Sequence, residues 1–356
     1  MHDAAPESAA SGRFSVFDIR DQWYVVAMSS ELRSGHILSR TIWNIPLVVF
    51  RDSRGEVGVL LDACPHRNVP LRAGRVVGDH LQCSYHGWEF DTRGACQKMP
   101  GLMTESKPEL RKATVFSARE ESGFIWVYMT PGVEPDKACF TFPSFDRRYG
   151  VVRRMVEAEG TLHATMENAL DVPHTAYLHG GLFRTEKKTN EIEVVVQRRG
   201  DSVEAEYLGE PRPTGLVARL LSPSGGVVTH FDRFFLPSIA QVEYRIGEEN
   251  HIFVTAAATP VSEFRTKLYA LVGFRTRFPA WLVRPLIEPF ALKIFSQDAK
   301  VLKQQSDSIR LLGGEQFVST EIDILGNHIR RLLREAAEGK TGGESKNFER
   351  RLRLRS

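Results

Sequence analysis

The sequence is poor in cysteine and has no long apolar run. It contains four cysteines in 356 residues, too few for a small protein held together by disulfides. The longest apolar candidate, Phe278 to Phe295, is interrupted by Arg284, Glu288 and Lys293. A segment broken by three charges argues against a membrane span.

Charge of one sign is also scarce. The 47 basic and 44 acidic residues leave a net charge of +3, which gives no argument for a nucleic-acid partner. The first residues, MHDAAPESAASGRF, lack the basic start and apolar run of a secretory signal. With 42% hydrophobic residues, a chain of this length predicts about two globular domains, which we expect in the cytoplasm.

Two of the cysteines stand beside histidines. Cys64 and His66 form one short loop, and Cys83 and His86 form another 16 residues later. A structural zinc accepts two cysteines and two histidines, but zinc sites usually group like ligands along the chain. One ligand of each kind per loop is typical of a Rieske [2Fe–2S] cluster, in which cysteines hold one iron and histidines the other. We predict this cluster, with zinc as the alternative.

The remaining cysteines, Cys96 and Cys139, have no histidine nearby. Cys139 lies in an apolar stretch, where a small buried residue is the usual interpretation. Neither is assigned a role.

A second candidate metal site follows the pattern N-x-x-D-x-x-H-x-x-x-x-H at Asn168, Asp171, His174 and His179. Asp171 is one helical turn from His174, so its carboxylate can hold one imidazole nitrogen while the other binds a metal. His179 can reach the same ion only if the helix bends or ends, which Pro173 favours. Two histidines and a carboxylate leave open positions for ferrous iron and oxygen. The alternative is that these residues merely cap and decorate a helix.

The third ligand must come from elsewhere in the chain. Asp298 lies in a segment, Ser296–Gln305, that is predicted to be helical, and it stands beside the apolar stripe of Phe295, Ala299 and Leu302. An acid facing an apolar interior is unfavourable unless it is paired or binds a metal. We predict Asp298 as the ligand, with a surface acid as the alternative interpretation and Asp307 and Glu288 as alternative ligands.

These motifs resemble the oxygenase component of Rieske non-heme iron oxygenases. The resemblance extends from Trp23 to about Glu335 and includes the order and separation of the two metal motifs. The gap of four residues between His174 and His179 is similar to the single-subunit-type members, including dicamba and vanillate demethylases.

In that branch the third ligand lies in the motif E-D-x-x-x-x-E-x-Q. Asp298 and Gln305 match this motif, whereas Gln297 and Lys303 replace its two glutamates. His163, just before the iron motif, has no assigned role.

The resemblance implies which residues bind each metal group. The cluster is held by Cys64, His66, Cys83 and His86. The mononuclear Fe²⁺ is held by His174, His179 and Asp298, with Asn168 near it. Asp171 connects His174 with His86 of the partner subunit, so a homotrimer is expected.

The resemblance also implies the reaction. Electrons from NAD(P)H arrive through a separate reductase or ferredoxin, and O2 is the co-substrate. The expected reaction is hydroxylation or oxidative demethylation of an apolar aromatic or alicyclic small molecule. Two alternatives stay open: a cis-dihydroxylating ring dioxygenase, and a Rieske electron-transfer protein without oxygenase activity.

The chain is predicted to fold as an α+β protein. Residues 1–15 are predicted to be a loose segment, and residues 16–140 an all-β Rieske domain. Residues 141–345 are predicted to be a catalytic domain, which opens with the iron-motif helix and combines an antiparallel sheet with helices. Residues 346–356 are predicted to be a solvated basic tail. A proline-containing linker is expected over Pro131–Pro143. The predicted strands are Trp23–Ala27, Leu47–Arg51, Val57–Leu61, Leu81–Tyr85, Phe124–Met129, Glu191–Gln197, Ser202–Tyr207, Val227–Phe235, Ala240–Ile246, His251–Ala258 and Leu268–Thr276.

Overall fold

The computed structural model describes residues 14–103, 111–179, 191–210, 228–247, 250–340 and 347–355. These residues divide into two compact units. One unit is Arg20–Phe142, and the other combines the described residues up to Ile19 with those from Pro143 onward.

The first unit is built from short antiparallel strands. Its strands are β1 (Trp23–Met28), β2 (Ile37–Ile42), β3 (Ile45–Arg51), β4 (Val57–Leu61), β5 (Arg75–Val77), β6 (His80–Gln82), β7 (Glu89–Phe90), β8 (Cys96–Lys98), β9 (Val115–Phe116), β10 (Ala118–Glu121) and β11 (Phe124–Tyr128). They form three sheets in the orders β1-β11-β10, β2-β3-β4-β9 and β5-β6-β7-β8. Single turns of 3-10 helix lie at Ser29–Glu31 and Leu71–Ala73.

The second unit contains one antiparallel sheet of eight strands. Its strands are β12 (Gly150–Ala158), β13 (Glu191–Arg199), β14 (Ser202–Leu208), β15 (Val228–Phe235), β16 (Ile239–Ile246), β17 (Asn250–Ser262), β18 (Arg265–Arg275) and β19 (Phe348–Arg355). The spatial order is β12-β18-β17-β16-β15-β14-β13-β19. Side chains along β15 alternate between buried and half-buried, as expected when one sheet face packs on helices.

Four helices belong to this second unit in the described part of the chain: α1 (Leu162–Ala169), α2 (Thr175–Leu178), α3 (Ala280–Leu311) and α4 (Gly326–Ala337). Ala158 of β12, Ala164 of α1 and Leu302 of α3 form a small buried cluster. This cluster packs the helix in which the iron motif begins against the helix that contains Asp298.

The predicted α+β fold class is confirmed, because the first unit is all-β and the second combines an antiparallel sheet with helices. Strand Val57–Leu61 has the predicted bounds, and most other strands differ by a few residues at their ends. The strand predicted over Leu81–Tyr85 is wrong in its second half. It ends at Gln82, since Cys83 begins a tight loop.

The prediction that the second domain opens with the iron-motif helix is wrong, because the domain opens with β12. The break that Pro173 predicts within this helix is confirmed, since the motif is divided between α1 and α2. Residues Leu170–His174 leave the helix because Pro173 has no amide hydrogen and disfavours helical geometry at Val172.

The basic C-terminal segment differs from the predicted solvated tail. It forms β19, which pairs with β13 along Phe348–Arg355 and makes one edge of the large sheet. Phe348, Leu352 and Leu354 are half-buried at alternate positions, which is the pattern of a strand. The arginines between them had suggested a solvated segment.

The end of the segment predicted to be loose is anchored. Ser15 is 1% exposed and donates hydrogen bonds from its amide and hydroxyl to the carboxylate of Glu315, both at 2.6 Å. Phe14 packs edge-on against Phe264, with ring centroids 5.5 Å apart. Residues 1–13 lie outside the described residues.

No helix among the described residues has both the length and the apolar character that crossing a bilayer requires.

Candidate metal centres

The two cysteine–histidine loops of the first unit have the same backbone hydrogen-bonding pattern. The amide of Asn68 donates to the Cys64 carbonyl at 2.7 Å, and the amide of Gly87 donates to the Cys83 carbonyl at 3.1 Å. Both Asn68 and Gly87 have a positive φ, of 58° and 70°. This conformation turns each loop back on itself, so that its cysteine and histidine face the same side.

The side chains of these loops converge. The rings of His66 and His86 lie 4.5 Å apart, and His66 stacks flat on Trp88 at 4.7 Å. Cys64 and Cys83 are buried at 2% and 3% exposure, whereas His86 is exposed. The structure therefore places the two histidine rings side by side and the two cysteines in one buried cluster, with Trp88 packed against both.

The donor atoms of the loops fit an iron–sulfur cluster. His66 Nδ1 is buried and has no hydrogen-bond partner among the described residues. Burial raises the pKa of Cys64 to about 11, and the neighbouring Cys83 adds to this effect. A metal must therefore displace the thiol proton, as cysteine ligation requires.

In the second unit, local sequence sets the position of the iron motif. Thr161 caps helix α1, since its hydroxyl accepts a hydrogen bond from the Ala164 amide at 3.1 Å. The helix ends at Ala169, and the short α2 begins after His174. The irregular segment between the helices lets His174 and His179 point to one place.

His174, His179 and Asp298 form a compact group of possible metal ligands. His174 Nε2 and His179 Nε2 are 3.2 Å apart, and Asp298 Oδ1 lies 3.5 Å and 3.1 Å from them. Asp298 Oδ1 is buried, and no donor among the described residues is aligned to hydrogen-bond to it. These spacings suit one ion bound at about 2.1 Å to each atom, so the group fits a divalent metal.

The two histidines have different partners on their far nitrogens. Asp171 Oδ2 lies 3.3 Å from His174 Nδ1, and Gln297 Oε1 lies 3.0 Å from His179 Nδ1. An amide oxygen only accepts, so His179 has its proton on Nδ1 and its lone pair on Nε2, toward Asp298.

Charge at His174 follows from its neighbours. Burial disfavours the protonated imidazole, but the carboxylates of Asp171 and Asp298 outweigh burial and raise the pKa of His174 to about 9. A proton therefore occupies this site when no metal does, and metal binding must release it.

The alternative acidic ligands are engaged elsewhere. Asp307 is exposed and pairs with Lys303 at 3.1 Å and Arg310 at 3.4 Å. Glu288 contacts Arg154 and pairs with Arg284 at 3.3 Å. Neither belongs to the histidine group.

Asn168 lies in the last turn of α1 and lines a small cavity of about 40 Å³ together with Asp298. It also lines a cavity of about 690 Å³ that borders Asp171, His174 and Gln305. Asn168 is therefore near the histidine group but does not belong to it.

Sequence reasoning gave no role to several residues around this site. Gln297 contacts His179, whereas the sequence motif shows it only as a replacement for a glutamate. Glu167 and Tyr207 line the large cavity and had no sequence signal of their own. His163 is buried, and its Nε2 lies 3.2 Å from the Gly326 carbonyl, so it holds α1 to α4.

The other two cysteines are buried and have polar neighbours. Cys139 Sγ is 3.4 Å from Glu121 Oε2, and Cys96 Sγ is 3.7 Å from the Lys98 carbonyl. Both remain without a functional assignment.

The fold and the two residue groups define a class: a protein that combines a cysteine–histidine cluster site with a mononuclear site of two histidines and a carboxylate. Comparison with family models agrees with this class. Residues 22–112 match the Rieske [2Fe-2S] domain, and residues 159–339 match the vanillate O-demethylase oxygenase C-terminal domain. The chain therefore belongs to the Rieske oxygenase family and has a catalytic domain of the vanillate O-demethylase type. This membership confirms the predicted cofactors, a [2Fe–2S] cluster and a mononuclear iron.

Curated relatives extend the similarity. The chain is 35% identical over 174 residues to the oxygenase component of dicamba O-demethylase from Stenotrophomonas maltophilia, covering 47% of this chain and 50% of that protein. It is 27% identical to the oxygenase component of chloroacetanilide N-alkylformylase from Rhizorhabdus wittichii, covering 92% of this chain and 97% of that protein. Against several of the curated relatives, the match spans only about half of their length.

Solved structures share the fold. A crystal structure of dicamba monooxygenase bound to dicamba superimposes with a TM-score of 0.76 at 23% identity, covering 91% of this chain and 99% of that chain. This similarity confirms the predicted architecture.

Proposed function

We propose that this protein is the terminal oxygenase component of a Rieske-type system. It uses O2 and electrons from NAD(P)H, delivered by a separate reductase or ferredoxin, to hydroxylate or oxidatively demethylate an apolar aromatic or alicyclic small molecule. The observation that carries the proposal is the compact group of His174, His179 and Asp298, whose three donor atoms face one point, in a chain that also has the cluster loops.

In this proposal the site residues bind two metal groups. Cys64, Cys83, His66 and His86 hold the cluster, which supplies electrons one at a time. His174, His179 and Asp298 hold iron, which when bound supplies the activation of dioxygen.

The remaining groups orient the ligands. The Asp171 carboxylate holds the Nδ1 side of His174, and the Gln297 amide oxygen holds the Nδ1 proton of His179. Both imidazoles thereby keep Nε2 directed at Asp298, and Asn168 lines the adjacent cavity.

We further propose a homotrimer, in which Asp171 connects His174 with His86 of the partner subunit. Two features favour this path: His86 is exposed, and the Asp171 side chain is 36% exposed. A cytoplasmic location accords with cysteines that are all unpaired.

Substrate-dependent oxygen consumption tests the proposal. The reconstituted protein, supplied with NADH and a heterologous reductase and ferredoxin, is screened with aromatic methyl ethers and N-methyl compounds. Formaldehyde release matched to oxygen uptake is expected for demethylation, and a hydroxylated ring or side chain for hydroxylation. A cis-diol product would indicate ring dioxygenation. Cluster reduction without oxygen uptake under any substrate would identify an electron-transfer protein and overturn the proposal.

A further inference from the structure

The second cysteine–histidine loop carries a tryptophan that reaches the first loop. Trp88 follows Gly87, whose φ of 70° turns the chain, and the Trp88 carbonyl accepts a hydrogen bond from the Cys83 amide at 2.8 Å. The indole lies flat on the His66 ring of the first loop, with ring centroids 4.7 Å apart and an angle of 3° between the rings. A side chain of one loop therefore covers a histidine ligand of the other.

The indole is itself held in place by packing. Trp88 is half-buried and lies against the buried core that contains Cys64, Cys83 and Phe90. The Phe90 ring is tilted against it, with centroids 6.4 Å apart. Because parallel rings at the spacing of Trp88 and His66 leave no room for water between them, one face of the His66 imidazole is shielded.

The other histidine has no comparable cover among the described residues. His86 is exposed, and its aromatic neighbours are His66, at 4.5 Å, and Tyr85, at 3.9 Å. Tyr85 is 62% exposed, so it does not keep water from His86. The two imidazoles that hold the same iron of the cluster therefore differ, since one is shielded and the other is open to solvent.

Shielding of a ligand affects the redox chemistry of an iron–sulfur cluster. One-electron reduction adds negative charge to the cluster, and water stabilises that charge better than an apolar side chain does. Exclusion of water from His66 therefore favours the oxidised cluster and lowers its reduction potential. A fixed ring plane also gives every molecule the same ligand geometry.

We propose that Trp88 is a positioning residue for the Rieske cluster. It fixes the plane of the His66 imidazole, keeps water from one face of that ring, and thereby lowers the reduction potential of the cluster. The inference concerns the cluster alone and goes beyond the proposed reaction, because it depends on neither the substrate nor the mononuclear iron.

Two substitutions in the anaerobically purified holoenzyme test the inference. Trp88→Leu removes the ring but keeps an apolar side chain, and Trp88→Phe keeps a smaller ring. A redox titration followed by the EPR signal of the reduced cluster gives the midpoint potential. At one fixed solution potential, the ratio of reduced to oxidised cluster should be at least about threefold higher in Trp88→Leu than in the wild type, with Trp88→Phe between them.

A second readout measures water at the cluster directly. In D2O, the deuterium modulation of the pulsed EPR signal should deepen in the same order, from the wild type through Trp88→Phe to Trp88→Leu. Both readouts refer to intact clusters, counted by iron and acid-labile sulfide. A merely structural role of Trp88 would lower that count and leave the potential and the modulation of the remaining clusters unchanged.

Trp281→Leu is the control, because it makes the same change at a tryptophan of the second unit that is 76% exposed. Both of its readouts should equal those of the wild type. Intact clusters with the wild-type potential and modulation in Trp88→Leu would overturn the inference. If Trp88→Leu holds no cluster, wild-type values in Trp88→Phe would overturn it.

The two proposals fail separately. Neither readout involves oxygen or substrate, so an unchanged cluster in the Trp88 variants would leave the proposed oxygenase function intact. A wild-type cluster that is reduced without oxygen uptake under any substrate would contradict the proposed function and leave the role of Trp88 untouched.

Discussion

At the scale of single residues, the two histidines of the mononuclear site are oriented by different chemistry. His174 faces a carboxylate, which adds negative charge and raises its pKa, whereas His179 faces the neutral amide of Gln297. In the single-subunit-type branch of the family, which includes dicamba and vanillate demethylases, a glutamate occupies the position of Gln297. The amide oxygen can accept the same hydrogen bond, so the substitution keeps the orientation and removes one charge.

We predict that Gln297→Ala weakens iron binding about 10- to 100-fold, because His179 loses the partner that fixes its tautomer. The rate of iron loss to a chelator, followed by metal analysis, measures this effect. Gln297→Glu should restore retention, because a carboxylate accepts the same hydrogen bond.

Gln304→Ala, an exposed residue on the same helix, is the control. If Gln297→Ala and Gln304→Ala lose iron at the same rate, Gln297 does not position His179.

A second prediction concerns the half-buried Glu167 in the cavity wall. Burial first, and then the carboxylates of Asp323, Asp171 and Glu315, raise the pKa of Glu167 from 4.5 to about 7, with Arg330 opposing them. The native state therefore holds this proton more tightly than the unfolded state. Its contribution to stability is present below about pH 4.5 and is lost as the pH rises toward 7.

Glu167→Gln should remove this pH-dependent loss of stability, because a glutamine side chain does not titrate. Between pH 5 and pH 8, the unfolding free energy of the wild type should fall. This fall should be larger than that of Glu167→Gln by up to about 3 kcal/mol. Urea unfolding of both proteins at the two pH values checks this, with Glu321→Gln as an exposed control. Parallel pH dependence in Glu167→Gln and the wild type would refute the assignment.

At the scale of elements, the cluster site depends on two loops with one hydrogen-bonding plan. In each loop the fourth residue after the cysteine has a positive φ and donates back to the cysteine carbonyl. Asn68 tolerates this conformation, and Gly87 adopts it without strain. The different spacings, C-x-H and C-x-x-H, therefore belong to loops of equal length.

We predict that Gly87→Ala shortens the lifetime of the cluster. An added Cβ would lie 3.1 Å from Pro100 Cγ, and positive φ adds about 1–2 kcal/mol of strain. Decay of the visible absorbance of the cluster in air measures the lifetime.

Gly78→Ala is the control, because Gly78 also has a positive φ, of 59°, but its Cβ would meet open space. Equal lifetimes for both variants would show that the Gly87 turn does not stabilise the cluster loop.

The elements that the sequence predicts best are those with local signals. The strands of the large sheet follow from alternating apolar residues, as at Ile192, Val194 and Val196 on β13. The break between α1 and α2 could be anticipated from Pro173. Strand β19 could not, because its partner β13 lies about 150 residues earlier and its arginines conceal the alternation.

The same distinction applies to the site. The histidines and Asp171 share a short motif, so spacing alone predicts their grouping. The contact between His179 and Gln297 joins residues 118 positions apart, and only tertiary structure brings them together. The ring stack of Tyr207, His230 and Tyr244 joins three neighbouring strands and has no local sequence signal.

At the scale of the whole molecule, the cluster loops and the mononuclear site belong to separate compact units of one chain. In the proposed trimer, Asp171 connects the two sites across subunits. We predict that Asp171→Asn keeps both metals but lowers turnover at least about tenfold, because the neutral amide weakens the link to His174. Turnover with a competent reductase and the single-turnover rate of cluster oxidation are the measurements. Normal values for both would contradict the bridging role.

The central claim, one chain with a Rieske cluster and a separate mononuclear iron, is tested most directly by metal analysis of Asp298→Ala. The wild type, purified anaerobically, should contain about three irons and two acid-labile sulfides per chain. Asp298→Ala should keep two irons and two sulfides with an unchanged visible spectrum, and Asp307→Asn should keep all three irons. Three irons in Asp298→Ala, or zinc without sulfide in the wild type, would contradict the account.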